Sequence, residues 1–520
     1  MTPARTLMIQ GTASGVGKSL LVAALCRVFA RRGLSVAPFK AQNMSNNAAV
    51  LPGGGEIGRA QALQARAAGV QPEARMNPIL IKPLGAKRSE VIVLGRRDEE
   101  STAAPWRARK PRLRPVVLEA LEELRTGRDL VIVEGAGSPA EINLRPGDLV
   151  NMGLARAAGV PVLLAADIDR GGAFAALYGT WALLEPADRR HVRGFVLNRF
   201  RGDPDLLAPA PRILEGRTGI STLGVVPYVP HLLPEEDAAV LEPGRRDRQA
   251  TEEPHCRSRI RIAAIHLPHL SNFDDLDPLA AEPGVEVEWV RSPGELNDAD
   301  AIVLPGSRNT GADLRWLREQ GLADATREAA ARGLPIAGIC GGYQMLGHEL
   351  ADPDSVEAGG TEKGLGLLGV RTRLLPGKST RRTHARIRRG PHLFRAMEDQ
   401  ELSGYEIHHG ETVPITGVQN APGDEEVEVE WLGAEESPLG RARGTIWGSY
   451  LHGIFANDEF RAFWLRSLGL RPGVPNGAAA ASWDARLEEE IDRVADAVER
   501  ALDPGHLLRI AEEGVPCASG

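Results

Sequence analysis

The apolar tetrapeptide Leu7-Met8-Ile9-Gln10 runs directly into Gly11-Thr12-Ala13-Ser14-Gly15-Val16-Gly17-Lys18-Ser19, and a helix-forming stretch follows over residues 20–30. A strand, a glycine loop and a helix in immediate succession admit few folds. The strand must enter a sheet and the helix must pack back on it, so an α/β architecture with a parallel sheet follows. Residues 35–39, 130–133, 162–166, 194–197 and 224–226 read as further buried strands, with amphipathic stretches such as 116–124 between them. That alternation predicts helices on both faces of the sheet.

The rhythm breaks near residue 232. Pro234-Glu235-Glu236-Asp237 and Pro243-Gly244-Arg245-Arg246-Asp247-Arg248 are charged and punctuated by Pro and Gly, so residues 233–259 read as a linker behind a first domain of residues 1–232. Apolar runs at 261–265, 301–304 and 335–339 start a second α/β domain, residues 260–470. After Pro475 an Ala-rich segment and a helix around 487–502 form a C-terminal helical extension, 471–520, to which the sequence assigns no role.

Net charge is -7 on 520 residues and no basic stripe stands out, which argues against a nucleic-acid partner. No apolar run approaches the ~20 residues of a membrane span, and the N-terminus has no secretory pattern. Cys26, Cys256, Cys340 and Cys517 form no CxxC pair and no cluster with His, so neither a disulfide framework nor a zinc site is expected. A reducing cytoplasm is the expected compartment. A homo-oligomer is compatible with the sequence, which does not specify one.

A glycine loop between a strand and a helix aims backbone N–H groups at phosphate, and the helix dipole favours the anion. Gly11, Thr12, Gly15 and Gly17 would form the cradle of an ATP site. Lys18 would reach the β- and γ-phosphates and Ser19 would ligate Mg2+. Gly11 and Gly17 enclose five residues, one more than the usual phosphate loop. Glu134 ends an apolar run and stands where ligands bind in open α/β sheets, a second candidate for Mg2+. Asp167-Ile168-Asp169-Arg170-Gly171-Gly172 follows another run; Asp167 and Arg170 suit an anionic phosphate and metal site. Asn198 could read an adenine edge or merely form a turn.

The second centre is a thiol. Leu334-Pro335-Ile336-Ala337-Gly338-Ile339 delivers Cys340 to Gly341-Gly342-Tyr343-Gln344. Small neighbours permit the strained elbow that exposes a nucleophile, and a helix from about Tyr343 to Leu350 would favour the thiolate. A thiol needs a base. Of twelve histidines, His452 stands out, at the end of the apolar stretch Trp447-Gly448-Ser449-Tyr450-Leu451. Gly306, in Leu304-Pro305-Gly306-Ser307, and Gly341 could supply oxyanion-hole N–H groups. Gln344 is a further candidate for binding glutamine.

The loop spacing fits the variant phosphate loop of dethiobiotin-synthetase-like domains. Together with Ala41-Gln42-Asn43-Met44-Ser45-Asn46-Asn47, Gly58-Arg59-Ala60-Gln61, Met76-Asn77-Pro78-Ile79-Leu80, Glu134-Gly135-Ala136-Gly137-Ser138-Pro139-Ala140-Glu141 and Asp148-Leu149-Val150-Asn151-Met152, the chain resembles the cobyric/cobyrinic-type amidotransferases, and among them the cobyric acid synthases. The resemblance runs from the phosphate loop to about Phe455. It implies a dethiobiotin-synthetase-like P-loop domain followed by a class I-like glutamine amidotransferase domain. It also implies ATP- and glutamine-dependent amidation of the b, d, e and g carboxylates of a corrinoid, adenosylcobyrinic acid a,c-diamide, to give adenosylcobyric acid. Gln42, Asn43 and Asp148 would then line the substrate carboxylate or its phosphate. Many class I amidotransferases complete a triad with His-x-Glu. Here His452-Gly453-Ile454 has no such Glu, so the residue orienting His452 is unassigned. Rival readings are a cobyrinic acid a,c-diamide synthase, against which the Gln42–Asn47 segment argues, a partition-type ATPase switch, which needs no Cys340 elbow, and a degenerate regulatory amidotransferase, against which the intact Cys340 and His452 speak.

Overall fold

A computed structural model describes residues 4–84, 89–234, 259–357, 359–388, 392–415, 429–434, 437–470 and 482–515. Most of the expected linker, the Ala-rich stretch after Pro475, Cys256 and Cys517 lie outside the described residues.

The first sheet has six strands in the spatial order Thr222–Pro227, Val192–Phe200, Val162–Asp167, Arg5–Gly11, Leu130–Glu134, Val36–Phe39. Every pairing is parallel. The Leu130–Glu134 and Val162–Asp167 strands are buried at every residue, as a parallel sheet covered on both faces requires. Strand order reverses on either side of Arg5–Gly11. The glycine loop, Glu134 and Asp167 therefore all leave the sheet at one carboxyl-end crevice, where such sheets bind ligands.

Between Val36–Phe39 and Leu130–Glu134 the chain leaves the alternating pattern. It forms a separate four-stranded sheet from Gln42–Met44, Ile79–Pro83, Ser89–Val93 and Arg96–Arg97, with the Arg59–Ala67 helix inserted. Strands this short carry almost no periodicity, so sequence reading passes over them.

Among the described residues the second sheet has eleven strands. Its parallel part runs in the order Val285–Val290, Ile260–Ile265, Ala301–Leu304, Ile336–Ile339, Ile446–Ser449. It continues through mainly antiparallel strands, dominated by the long pair Val370–Ile387 and Glu401–Pro414. Val370–Ile387 buries alternate residues at its ends, and its charged intervening positions hide it from a search for apolar runs.

The C-terminal extension has a structural place that the sequence did not suggest. Leu487, Ile491, Val494 and Val498 recur at spacings of four, three and four and form one face of the Trp483–Ala501 helix. That face shares a core with Leu21, Val22, Leu25, Val28 and Phe29 of the Lys18–Arg31 helix. Ion pairs Arg31–Asp496 and Arg32–Glu499, both 2.6 Å, flank it. The extension is thus a layer of the first domain, laid on the helix that follows the glycine loop.

Candidate functional site

The glycine loop is held at both ends. Gly17 precedes the Lys18–Arg31 helix at φ 88°, a left-handed conformation that glycine adopts without a Cβ penalty. Lys18 is buried and its Nζ donates to the carbonyls of Ala13, 2.9 Å, and Gly137, 3.1 Å. The ammonium thus bridges the loop and the segment after Glu134. Ser19 Oγ donates to Glu134 Oε1 at 2.8 Å, and Lys40 Nζ pairs with the same oxygen at 2.8 Å. Lys40, a lone Lys after a strand, carries no sequence motif. A hydroxyl beside a buried carboxylate at the foot of a phosphate loop suits Mg2+, which keeps most of its ligands as water and phosphate. Among the described residues no group of three or more His, Cys, Asp or Glu makes an all-protein metal cage.

The remaining phosphate-side candidates divide. Arg170 is over half exposed and lies 3.6 Å from Asp167. A Cβ on Gly15 would stand 3.8 Å from its guanidinium, so Arg170 flanks the loop. Asp167 also pairs with Arg199 at 3.2 Å. Asn198 is buried, and its amide nitrogen donates to Val16 O at 2.8 Å. That bond braces the loop from the Val192–Phe200 strand. Asp148, which the resemblance sets at the substrate carboxylate, has local backbone partners. Its carboxylate accepts the backbone N–H groups of Val150, Asn151 and Gly153 at 2.8–3.0 Å and so caps the turn entering the Met152–Ala158 helix. Gln42 and Asn43 are buried in the small sheet, and Asn43 Nδ2 donates to Gln61 Oε1 at 2.9 Å.

The thiol site is assembled from distant segments. Cys340 sits at φ 54°, ψ -108° between the Ile336–Ile339 strand and a short helix, Gly341–Leu346. The helix begins and ends earlier than expected, because Glu349–Asp352 is already a strand. The elbow is tight: a Cβ on Gly342 would come within 1.9 Å of Leu304 O. Positive φ on a non-glycine residue is strain that the surrounding packing must hold. Gly306 lies close to the His452 ring, and Gly341, next to Cys340 in the chain, packs against the Ser307 backbone nitrogen. Gln344 also lines the cavity. Its amide hydrogen-bonds His409 O, Tyr450 Oη and the Thr310 hydroxyl at 3.0–3.2 Å, which holds the side chain at the cavity wall.

His452 is almost completely buried. Its Nδ1 is 2.6 Å from Asp275 Oδ2, while Asp275 Oδ1 accepts the Gly453 N–H at 2.7 Å. The orienting residue absent after His452 is therefore Asp275, supplied by the turn Phe273–Leu276. An Asp inside Asn272-Phe273-Asp274-Asp275-Leu276 has no local signature pointing to a histidine far along the chain. Burial alone would lower the His452 pKa, but Asp275 and Cys340 outweigh it and raise it to about 10. Among the described residues Nε2 makes no hydrogen bond of ordinary geometry; it is the nitrogen on the side of the Cys340 thiol, whose hydrogen bond helps to raise the His452 pKa. The Tyr405 ring stacks on the imidazole, with centroids 5.0 Å apart and planes at 12°.

A cleft of about 800 Å³ adjoins the Cys340 cavity, and the two share Arg308, Glu357 and His409. Burial raises the Glu357 pKa to about 7 and lowers that of His409 to about 4.

Residues 261–460 match a family described as the CobB/CobQ-like glutamine amidotransferase domain. Residues 7–239 match one described as the CobQ/CobB/MinD/ParA nucleotide binding domain. Across nearly its whole length the chain is similar to curated proteins called cobyric acid synthase. Identity is 49% with that of Chloroflexus aggregans, covering 98% of this chain and 99% of the relative. It is 48% with that of Sorangium cellulosum, covering 98% of each, and 45% with that of Mycolicibacterium smegmatis, covering 98% of this chain and 97% of the relative.

Proposed function

Since the chain belongs to the cobyric acid synthase family, an enzyme family of glutamine-dependent amidation in cobalamin biosynthesis, we propose that it amidates the b, d, e and g carboxylates of adenosylcobyrinic acid a,c-diamide. The observation that carries this reading is one chain holding both a Lys18/Ser19 phosphate loop beside Glu134 and a strained Cys340 beside an Asp275-held His452.

Glutamine enters by the cleft that shares Arg308 and Glu357 with the thiol cavity. Cys340 Sγ attacks the side-chain amide carbon, and backbone N–H groups around Gly306 and Gly341 receive the developing oxyanion. The imidazolium of His452 gives its Nε2 proton to the departing nitrogen, so ammonia leaves and a thioester remains. Water then attacks the thioester with His452 as base, releasing glutamate and the free thiol. Asp275 keeps the ring in one orientation through both steps.

At the other site the corrinoid carboxylate attacks the γ-phosphorus of ATP, giving ADP and an acyl phosphate. Ammonia displaces phosphate from that acyl carbon to leave the amide. Lys18 and the loop N–H groups stabilise charge on the transferring phosphoryl group. Ser19 and Glu134 would hold Mg2+, which neutralises phosphate charge when bound.

The test is product mass after incubation with adenosylcobyrinic acid a,c-diamide, glutamine and MgATP. Successive OH-to-NH2 exchanges, each matched by one ADP, are expected. ATP hydrolysis with no change in corrinoid mass would sink the assignment. No helix among the described residues is long and apolar enough to cross a membrane.

A further inference from the structure

One short helix touches both centres. At the start of the Arg59–Ala67 helix, Arg59 pairs with Asp274 at 2.9 Å. It also donates to Tyr405 Oη, and its guanidinium lies 5.3 Å from the Tyr405 ring centroid. Asp274 is the neighbour of Asp275, which holds His452 Nδ1, and Tyr405 is the ring stacked on His452. Arg59 thus reaches the histidine by two routes, from below through the carboxylates and from the side through the phenol. The contact is reinforced by Asn272. Its N–H donates to Asn47 Oδ1 at 2.8 Å, and its side chain donates to Ala48 O and Tyr405 Oη at 3.0 and 2.7 Å.

Five residues on, about 7.5 Å along the helix axis, Gln64 Nε2 donates to Glu134 Oε2 at 2.6 Å and to Ser19 O at 3.3 Å. Gln61 contacts the same carboxylate oxygen at 3.4 Å and accepts from Asn43 at 2.9 Å. The helix therefore carries amides on the Ser19–Glu134 pair and a guanidinium on the loop that orients the general base.

We propose that the Arg59–Ala67 helix makes glutamine hydrolysis respond to occupancy of the phosphate site, with Arg59 the positioning residue that acts on His452 through Asp274, Asp275 and Tyr405. This rests on the two-site reading above. Nucleotide engagement at Ser19 and Glu134 competes with the Gln61 and Gln64 amides for one carboxylate. The helix is thereby given a differential contact with the occupied and free states, which is what coupling between sites requires. A shift at its first residue is delivered to a buried, closely packed histidine, where small displacements matter.

The test measures glutamate release by the full chain, with and without MgATP plus adenosylcobyrinic acid a,c-diamide, for wild type, Arg59→Ala, Arg59→Lys, Gln64→Leu and the Arg59→Ala/Gln64→Leu double variant. Wild type should be stimulated, and each of Arg59→Ala and Gln64→Leu should lose roughly tenfold of that stimulation, within the range of site-to-site couplings. The double variant should lose no more than either single one, because both cut the same link. Arg59→Lys should recover part of the response. An unstimulated wild type, or stimulation intact in both single variants, overturns the coupling role while leaving the two-site reading standing. Should Arg59→Ala not fold, Gln64→Leu decides alone. A wild type that releases no glutamate overturns the reading of the thiol site, and this inference with it.

Discussion

The phosphate site and the thiol site are built on different principles. Nine consecutive residues, Gly11 to Ser19, make most of the first. A phosphate cradle is backbone geometry, and backbone geometry is local. The second draws Cys340 from one strand end, His452 from another, Asp275 from a turn and Tyr405 from a long antiparallel strand. A nucleophile, its base and the base's orienter need only meet in space. A local motif survives as text; a tertiary constellation leaves only its strained member, Cys340, visible.

Substitutions at the two sites should separate them. The largest effect is expected for Cys340→Ser, which should lower glutamine hydrolysis roughly 10^4-fold or more while amidation driven by added ammonium salt continues. Loss of the ammonium-driven reaction as well would mean the two centres are not separable. Asp275→Asn should lower glutaminase kcat by roughly 10^2- to 10^4-fold with the ammonium reaction spared. The same variant carries a pH signature. His452 has its pKa raised from 6.5 to about 10, so its protonation stabilises the fold fully below about pH 6.5 and that contribution is lost as pH rises through 10. The stability gap between wild type and Asp275→Asn, read from urea unfolding, should be widest at pH 6 and close toward pH 10. A gap independent of pH would remove Asp275 as the cause of the shift.

Lys18→Ala should depress ATP-dependent and ammonium-driven amidation alike by roughly 10^2- to 10^3-fold, leaving the unstimulated glutaminase rate in place. An effect confined to the glutamine-driven reaction would contradict the phosphoryl role. The mildest substitution tests the packing beneath the loop. Ile491→Ala, at a site 1% exposed, should destabilise the first domain by about 2–5 kcal/mol. Thermal unfolding unchanged by it would deny the C-terminal helix its place in that core.

Legibility followed the same division. The six parallel strands announced themselves because each is an apolar run, as the central ones, buried on both faces, must be. The small sheet of residues 42–97 and the pair Val370–Ile387 and Glu401–Pro414 did not, since short or half-charged strands make no run. Among site residues, Lys18, Ser19 and Cys340 carry their chemistry in their neighbours. Asn198 and Gln344 are polar residues at a strand end and in a helix, and Asp148 enters only through the resemblance; none carries a local sign of how its side chain is held. Their partners, Val16 O, three backbone N–H groups and His409 O with Tyr450 Oη, are set by the tertiary structure.

The order of residues by itself determined a phosphate loop after a buried strand, a cysteine at a glycine elbow and two α/β halves, because each depends on bonds and contacts within a few residues. Tertiary structure alone decided that Asp275 orients His452, that the C-terminal helix completes the first domain, and that Arg59 and Gln64 set one helix against both centres. Those choices rest on side chains that meet from 70 to 467 residues apart, where packing and burial rather than chain proximity select the partner.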